Sequence, residues 1–138
     1  MDSTSPARLL AAAASPLRCA PSARRSLILK LRSYQREAID HLHAHPHAGL
    51  FLEMGLGKTA VVLSALRPEH LPVLVVAPRR VACEVWPAEI GKWRPELCYS
   101  LAHGSAAKRA AALDTMADIY IVSVDNAHDA VGGRAYQT

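Results

Sequence analysis

Gly55, Gly57, Lys58 and Thr59 are the residues best suited to chemistry in this chain of 138. They close the stretch "FLEMGLGKT", from Phe51 to Thr59, in the spacing G-x-G-K-T, with Leu56 between the glycines. That spacing suits phosphate. Glycines let successive backbone N–H groups turn inward, and an anionic oxygen can approach with no Cβ in its way. A helix opening at Lys58 would add the positive end of its dipole. Lys58 would place a charge against the β- and γ-phosphates, and the Thr59 hydroxyl would meet Mg²⁺. The stricter pattern G-x-x-x-x-G-K-[ST] would put another glycine at position 52, where Leu52 stands. The core of the pattern is intact. A strand before the loop and a helix after it would separate a nucleotide site from a glycine-rich helix cap.

The elements needed to hold such a loop can be read from hydrophobic periodicity. "LRSYQREAIDHLHAH" carries Leu31, Tyr34, Ala38, Ile39 and Leu42 at helical spacing and predicts a helix near 33–44, stopped by Pro46 and Gly49. "GLFLEM" predicts a short strand entering the glycine loop, and "KTAVVLSAL" a helix ended by Pro68 at the latest. "PVLVVAP" (72–78) reads as a strand buried on both faces. A helical stretch from Val81 to Trp93 follows, with Pro87 as a kink or break. "CYSLAHG" (98–104) and "DIYIVSV" (118–124) predict two more strands around a helix in "SAAKRAAALDTMA", and a turn or helix follows Asn126. This β-α-β order implies an α/β fold with a parallel, doubly wound sheet and right-handed crossovers. Ligands of such sheets gather beyond the carboxyl ends of the strands. The glycine loop, Pro78-Arg79-Arg80, Gly104 and Ser123-Val124-Asp125 all follow strands and are expected on one edge.

Composition sets the limits. The length fits one ordinary domain, and a hydrophobic fraction of 51% with only 5% aromatics predicts an aliphatic core. A net charge of +4 is a moderate basic bias and only weak support for a polyanionic partner. Cys19, Cys83 and Cys98 are scattered, which points to free thiols in a reducing, intracellular and cytoplasmic setting. No apolar run approaches the roughly 18 residues of a membrane span. Residues 1–26 are rich in Pro, Ser, Ala and Arg, with Asp2 as their only acid. They are expected to be a disordered tail, with an organelle transit peptide as the alternative.

"LRSYQREAI", "MGLGKT", "VVAPRRVACEVWPAEIGKW" and "HGSAAKRAAAL", in this order, give the chain a family likeness. It resembles the first RecA-like domain of superfamily 2 DEAD/DEAH-box helicases, in the branch of Swi/Snf-type DNA translocases and helicase-like phage proteins. The likeness runs from about Leu29 to Asn126. It implies a RecA-like P-loop NTPase fold, a parallel sheet with helices on both faces, present in part over residues 27–138. Gln35 matches the glutamine that reads adenine, a role its amide suits because it can both donate and accept. Gly55, Leu56, Gly57, Lys58 and Thr59 match the ATP-binding loop. Pro78, Arg79 and Arg80 match a segment that holds the nucleic-acid backbone, where arginines fix position without reading sequence. His103, Gly104 and Arg109 match the "HG" stretch and its following basic residue, and Ser123 to Asn126 fall at a further backbone-contacting motif. Ser33 departs from the proline often found before the tyrosine, and Leu52 stands where Swi/Snf-type proteins usually carry an acid. Trp86 and Trp93, seven residues apart, are expected to pack rather than to stack on bases.

Phosphoryl transfer also needs an acid on Mg²⁺ and a group that orients the attacking water. The family supplies these through an Asp-Glu pair and adds an arginine from a second RecA-like domain. No Asp-Glu pair occurs in this sequence. Asp125 in "IVSVDN" is the weaker candidate for the metal acid. The expectation is an incomplete first domain that binds ATP and Mg²⁺ and touches DNA, or RNA, but does not hydrolyse efficiently without its second domain. A P-loop kinase or other small NTPase, and a non-catalytic nucleic-acid-binding remnant, are the competing classes. His41, His43, His45 and His47 alternate in "HLHAHPH". His41 and His45 would share a helix face at metal-ligand spacing, but no Cys or acid cluster accompanies them and Pro46 interrupts.

Overall fold

A computed structural model describes residues 31–132 of the chain. The N-terminal tail of residues 1–26, with Cys19, lies outside the described residues.

Helix α1 spans Ser33–Ala44, as its periodicity predicts. It begins where Arg32 turns out of an extended conformation and its N–H is taken by the Gln35 side chain at 2.9 Å. It stops at His45, which is extended (φ −127°, ψ 117°) because the following Pro46 disfavours a helical conformation there. Helix α2, Lys58–Ala65, starts behind Gly57 and buries Ala60, Val61, Leu63 and Ala65. A short 3₁₀ turn at Pro68–His70 leads into strand β1, Val73–Ala77.

The predicted helix from Val81 to Trp93 is two pieces. Val81–Val85 forms a π-helical turn and helix α3 follows at Trp86–Trp93. Pro87 explains the join. It has no N–H for the carbonyl four residues back, so the chain widens and Trp86 N–H bonds Val81 O instead. Strand β2 is Tyr99–Ala102, helix α4 Ala106–Asp114 and strand β3 Ile119–Ser123. A 3₁₀ turn at Val124–Asn126 leads into helix α5, Ala127–Gly132.

The three strands are parallel, in the order β1-β3-β2. Val75 pairs with Ile121 and Ala77 with Ser123 on one side of β3, while Leu101 pairs with Ile121 on the other. β3 is the centre of the sheet, and Ile119, Ile121 and Val122 are fully buried. Side chains alternate across it. Ile119 and Ile121 pack with Leu63, Val75, Ala77, Ala82, Ile90 and Leu97 on one face. Val122 packs with Ala102 and Ala130 on the other. Full burial of each such aliphatic side chain contributes about 1.5–3 kcal/mol. Trp86 and Trp93 lie half-buried against the larger cluster, so they pack as their spacing suggests.

Two expectations are corrected. The "GLFLEM" run forms no strand: residues 49–54 join no sheet, and Phe51 and Met54 are almost wholly exposed. A strand exists only through its neighbours, and this segment has none among the described residues. β1 is not buried on both faces, since Val76 is 47% exposed, and among the described residues β1 lies at an edge of the sheet.

Candidate functional site

The glycine loop is shaped by left-handed backbone at Gly55 (φ 82°) and Gly57 (φ 78°), a region that side chains resist. Gly57 is the N-cap of α2, and its carbonyl accepts the Val61 N–H at 3.0 Å. The Lys58 ammonium donates to the carbonyls of Leu52 at 2.5 Å and Glu53 at 2.9 Å. It therefore spans the base of the loop and retains one of its three N–H donors. Thr59 is half-buried one residue into α2.

Gln35 reaches this loop from α1. Its Oε1 accepts from Arg32 N–H and its Nε2 donates to the Leu56 carbonyl at 3.2 Å. These partners fix the amide orientation, because a backbone N–H needs an oxygen and a carbonyl needs a nitrogen. The residue is 8% exposed. A Cβ on Gly57 would stand 2.7 Å from Gln35 Nε2, so a side chain there would have to push the Gln35 amide aside in addition to straining the positive φ. Tyr34 Oη donates to the same Leu56 carbonyl at 3.3 Å.

The parallel sheet brings the ends of β1, β3 and β2 to one edge. Pro78 O accepts the Ala82 N–H, which opens the helical turn after β1. Arg79 is exposed and without a side-chain partner among the described residues, whereas Arg80 pairs with Glu84 at 3.3 Å. Gly104 has φ 96°, and its carbonyl accepts from Arg109 at 2.6 Å. Ser105 caps α4 by accepting the Lys108 N–H. Ser123 is buried, with its hydroxyl accepting from Asn126 Nδ2 at 2.9 Å. Asp125 is exposed on the turn after β3. Of the predicted backbone-contacting residues, Pro78, Arg79, Arg80 and Gly104 are exposed at this edge, and Ser123 is spent inside it.

The chain is 39% identical over 104 residues to protein p41 of Acyrthosiphon pisum secondary endosymbiont phage 1. The match takes in 69% of this chain and 23% of that protein, so the chain spans about a quarter of the relative's length. No family model matches the chain.

The histidine run does not gather into a metal centre. His43 bonds Ala65 O and Arg67, and His45 Nδ1 turns back to His41 O at 2.9 Å. Among the described residues, no group of three or more His, Cys, Asp or Glu could hold a metal ion. None of the described helices is long and apolar enough to cross a membrane.

Two contributing residues escape sequence reasoning. Tyr34 reads as an apolar helix position, and only its place beside Gln35 hints at the loop contact. Arg94 Nη1 bonds the carbonyls of Leu63 and Leu66, at 2.8 and 2.9 Å, and so closes the C-terminal end of α2. No local pattern signals a partner 31 residues away.

Proposed function

We propose that the chain is the ATP-binding N-terminal part of an ATP-dependent DNA helicase or translocase, built on a RecA-like P-loop fold. One observation carries the reading: the buried Gln35 side chain bonds the middle of the G-x-G-K-T loop. That contact joins the predicted adenine reader to the predicted phosphate loop, although they lie far apart in sequence. The strand expected before the loop does not form, so it is this link to Gln35, and not the strand–loop–helix context, that favours a nucleotide site over a helix cap.

The residues fit ATP. The two left-handed glycines open backbone N–H groups toward an anion, and the N-terminus of α2 adds positive potential. Lys58 has a free donor for a phosphate oxygen, and Thr59 offers the hydroxyl for Mg²⁺. Bound Mg²⁺ would neutralise charge on the phosphates, with its other ligands coming from phosphate and water. Gln35 would meet adenine with the donor and lone pairs that Arg32 and Leu56 leave free. The edge that carries Pro78, Arg79, Arg80 and Gly104 suits a nucleic-acid backbone, with DNA favoured over RNA by the sequence likeness.

Hydrolysis is a different matter. These 138 residues hold no Asp-Glu pair, so by themselves they are expected to bind ATP but to turn it over poorly. Calorimetric titration with MgATP tests the reading directly. Micromolar to millimolar binding that weakens about 10- to 100-fold in Lys58→Ala is expected. A folded wild-type chain that binds no nucleotide would sink it and leave a nucleic-acid-binding remnant as the better account. Robust turnover by the isolated chain would instead revive Asp125 as the metal acid.

A further inference from the structure

The Leu56 carbonyl is the acceptor for two side chains from α1, Gln35 Nε2 and Tyr34 Oη. Both are N-terminal residues of that helix, and both reach more than 20 residues along the chain to one oxygen. A carbonyl oxygen has two lone pairs, so the pair of donors fills it. The Leu56–Gly57 peptide is trans. Its N–H, which belongs to Gly57, therefore points opposite to its C=O. Holding the carbonyl toward α1 turns the Gly57 N–H away from α1. Gly57 can accept that orientation at φ 78° because it has no side chain.

We propose that Tyr34 is a positioning residue for the phosphate loop: its phenol holds the Leu56 carbonyl to α1 and so presents the Gly57 N–H to phosphate. This rests on the nucleotide-binding reading, and it assigns a role to a residue that meets no part of the nucleotide. Gln35 alone is a poor substitute. Its amide fills only one of the two lone pairs of that oxygen and is also the group expected to meet adenine through its second donor, so its position answers to the base as well as to the loop. Tyr34 is half-buried, sits beside Gln35 and has no other polar partner among the described residues. The division of labour is that Gln35 responds to the base while Tyr34 keeps the peptide plane in place.

The Tyr34→Phe variant of the full chain removes one oxygen and leaves the ring to pack. Inorganic tripolyphosphate and ATP, each with Mg²⁺, serve as probes in calorimetry, and the Gly57 amide resonance is followed by ¹⁵N NMR without ligand. The variant is expected to weaken both ligands by the same factor, about three- to tenfold, the worth of one ordinary hydrogen bond. It is also expected to shift the Gly57 amide resonance in the free protein. Unchanged affinities with an unmoved Gly57 resonance would overturn the proposal. So would a loss confined to ATP, since that would place the phenol on the base. A wild-type chain that binds neither probe defeats the nucleotide reading instead, and the Gly57 resonance then decides by itself whether Tyr34 sets the loop. Tyr34→Leu, which loses ring and hydroxyl, should add a fall in melting temperature that Tyr34→Phe lacks.

Discussion

Gln35 Nε2 and the Leu56 carbonyl meet at 3.2 Å, tying helix α1 to the glycine loop across 21 residues of sequence. Gln35→Ala breaks this tie and also strands the Arg32 N–H at the start of α1. Two hydrogen bonds worth about 0.5–1.5 kcal/mol each are lost, so urea unfolding should show a loss of about 1–3 kcal/mol. The same variant should bind ATP and GTP with equal, weakened affinity, while the wild-type chain prefers ATP. Retained preference for ATP in a folded Gln35→Ala protein would remove the glutamine from base recognition.

The two loop glycines make a controlled pair. Both have positive φ, but a Cβ on Gly55 meets nothing within 4 Å, whereas one on Gly57 runs into Gln35 at 2.7 Å. Gly55→Ala should therefore lose only about 1–2 kcal/mol of backbone preference. Gly57→Ala should lose that and the Gln35 contact besides. Denaturant unfolding of the two variants reads the difference, and equal losses would mean that Gln35 moves aside freely.

Lys58→Ala separates binding from stability. The side chain is exposed and its two acceptors, Leu52 O and Glu53 O, lie in a segment open to water. Substitution should leave unfolding free energy within about 0.5 kcal/mol of wild type. Affinity for MgATP should fall about 10- to 100-fold, the worth of a charge-assisted hydrogen bond to phosphate. A large stability loss with unchanged affinity would assign the lysine to the fold alone.

How far the sequence disclosed this arrangement depends on how local the cause was. β1 and β3 were legible because unbroken runs such as "VLVVA" and "IYIVS" bury on a sheet. The limits of α1 were legible because Pro46 acts on its own neighbour. The break at Pro87 was visible, but its π-helical form depends on which carbonyl the next donor finds. "GLFLEM" misled because an apolar run shows capacity for a strand, and only a partner makes one. The order β1-β3-β2 was hidden for a similar reason, since crossover helices leave the sequence silent about which strand lies in the middle. Within the candidate site, spacing revealed the loop and Gln35, while the contacts of Tyr34 and Arg94 depend on the packing of α1 and α3 against α2.

Arg94 provides a test of that packing. One guanidinium nitrogen serves both Leu63 O, which also accepts the Leu66 N–H at 3.4 Å, and Leu66 O, where α2 ends. Arg94→Ala should lower stability by about 1–3 kcal/mol. Arg94→Lys should recover little, because an ammonium on a flexible stem does not reproduce the planar fork. Thermal unfolding of both variants measures this. Full rescue by lysine would show that charge, rather than geometry, holds the helix end.

Arg79 and Arg80 stand next to each other after β1, but their surroundings predict unequal roles. Arg80 is already paired with Glu84, and both side chains are well exposed at 88% and 66%, so that pair itself contributes little to stability. To hold a DNA phosphate, Arg80 must share its charge with Glu84, while Arg79 has no such competitor among the described residues. Each phosphate contact adds about 0.9 to the slope of log affinity against log salt on duplex DNA, and about 0.7 on a single strand. Arg79→Ala should therefore flatten the slope by close to one contact, and Arg80→Ala by less. Glu84→Gln should tighten DNA binding by freeing Arg80, a gain that disappears in the double variant with Arg80→Ala. Fluorescence anisotropy across a salt series measures all four. Equal slopes in wild type and Arg79→Ala would exclude this edge from the nucleic-acid interface.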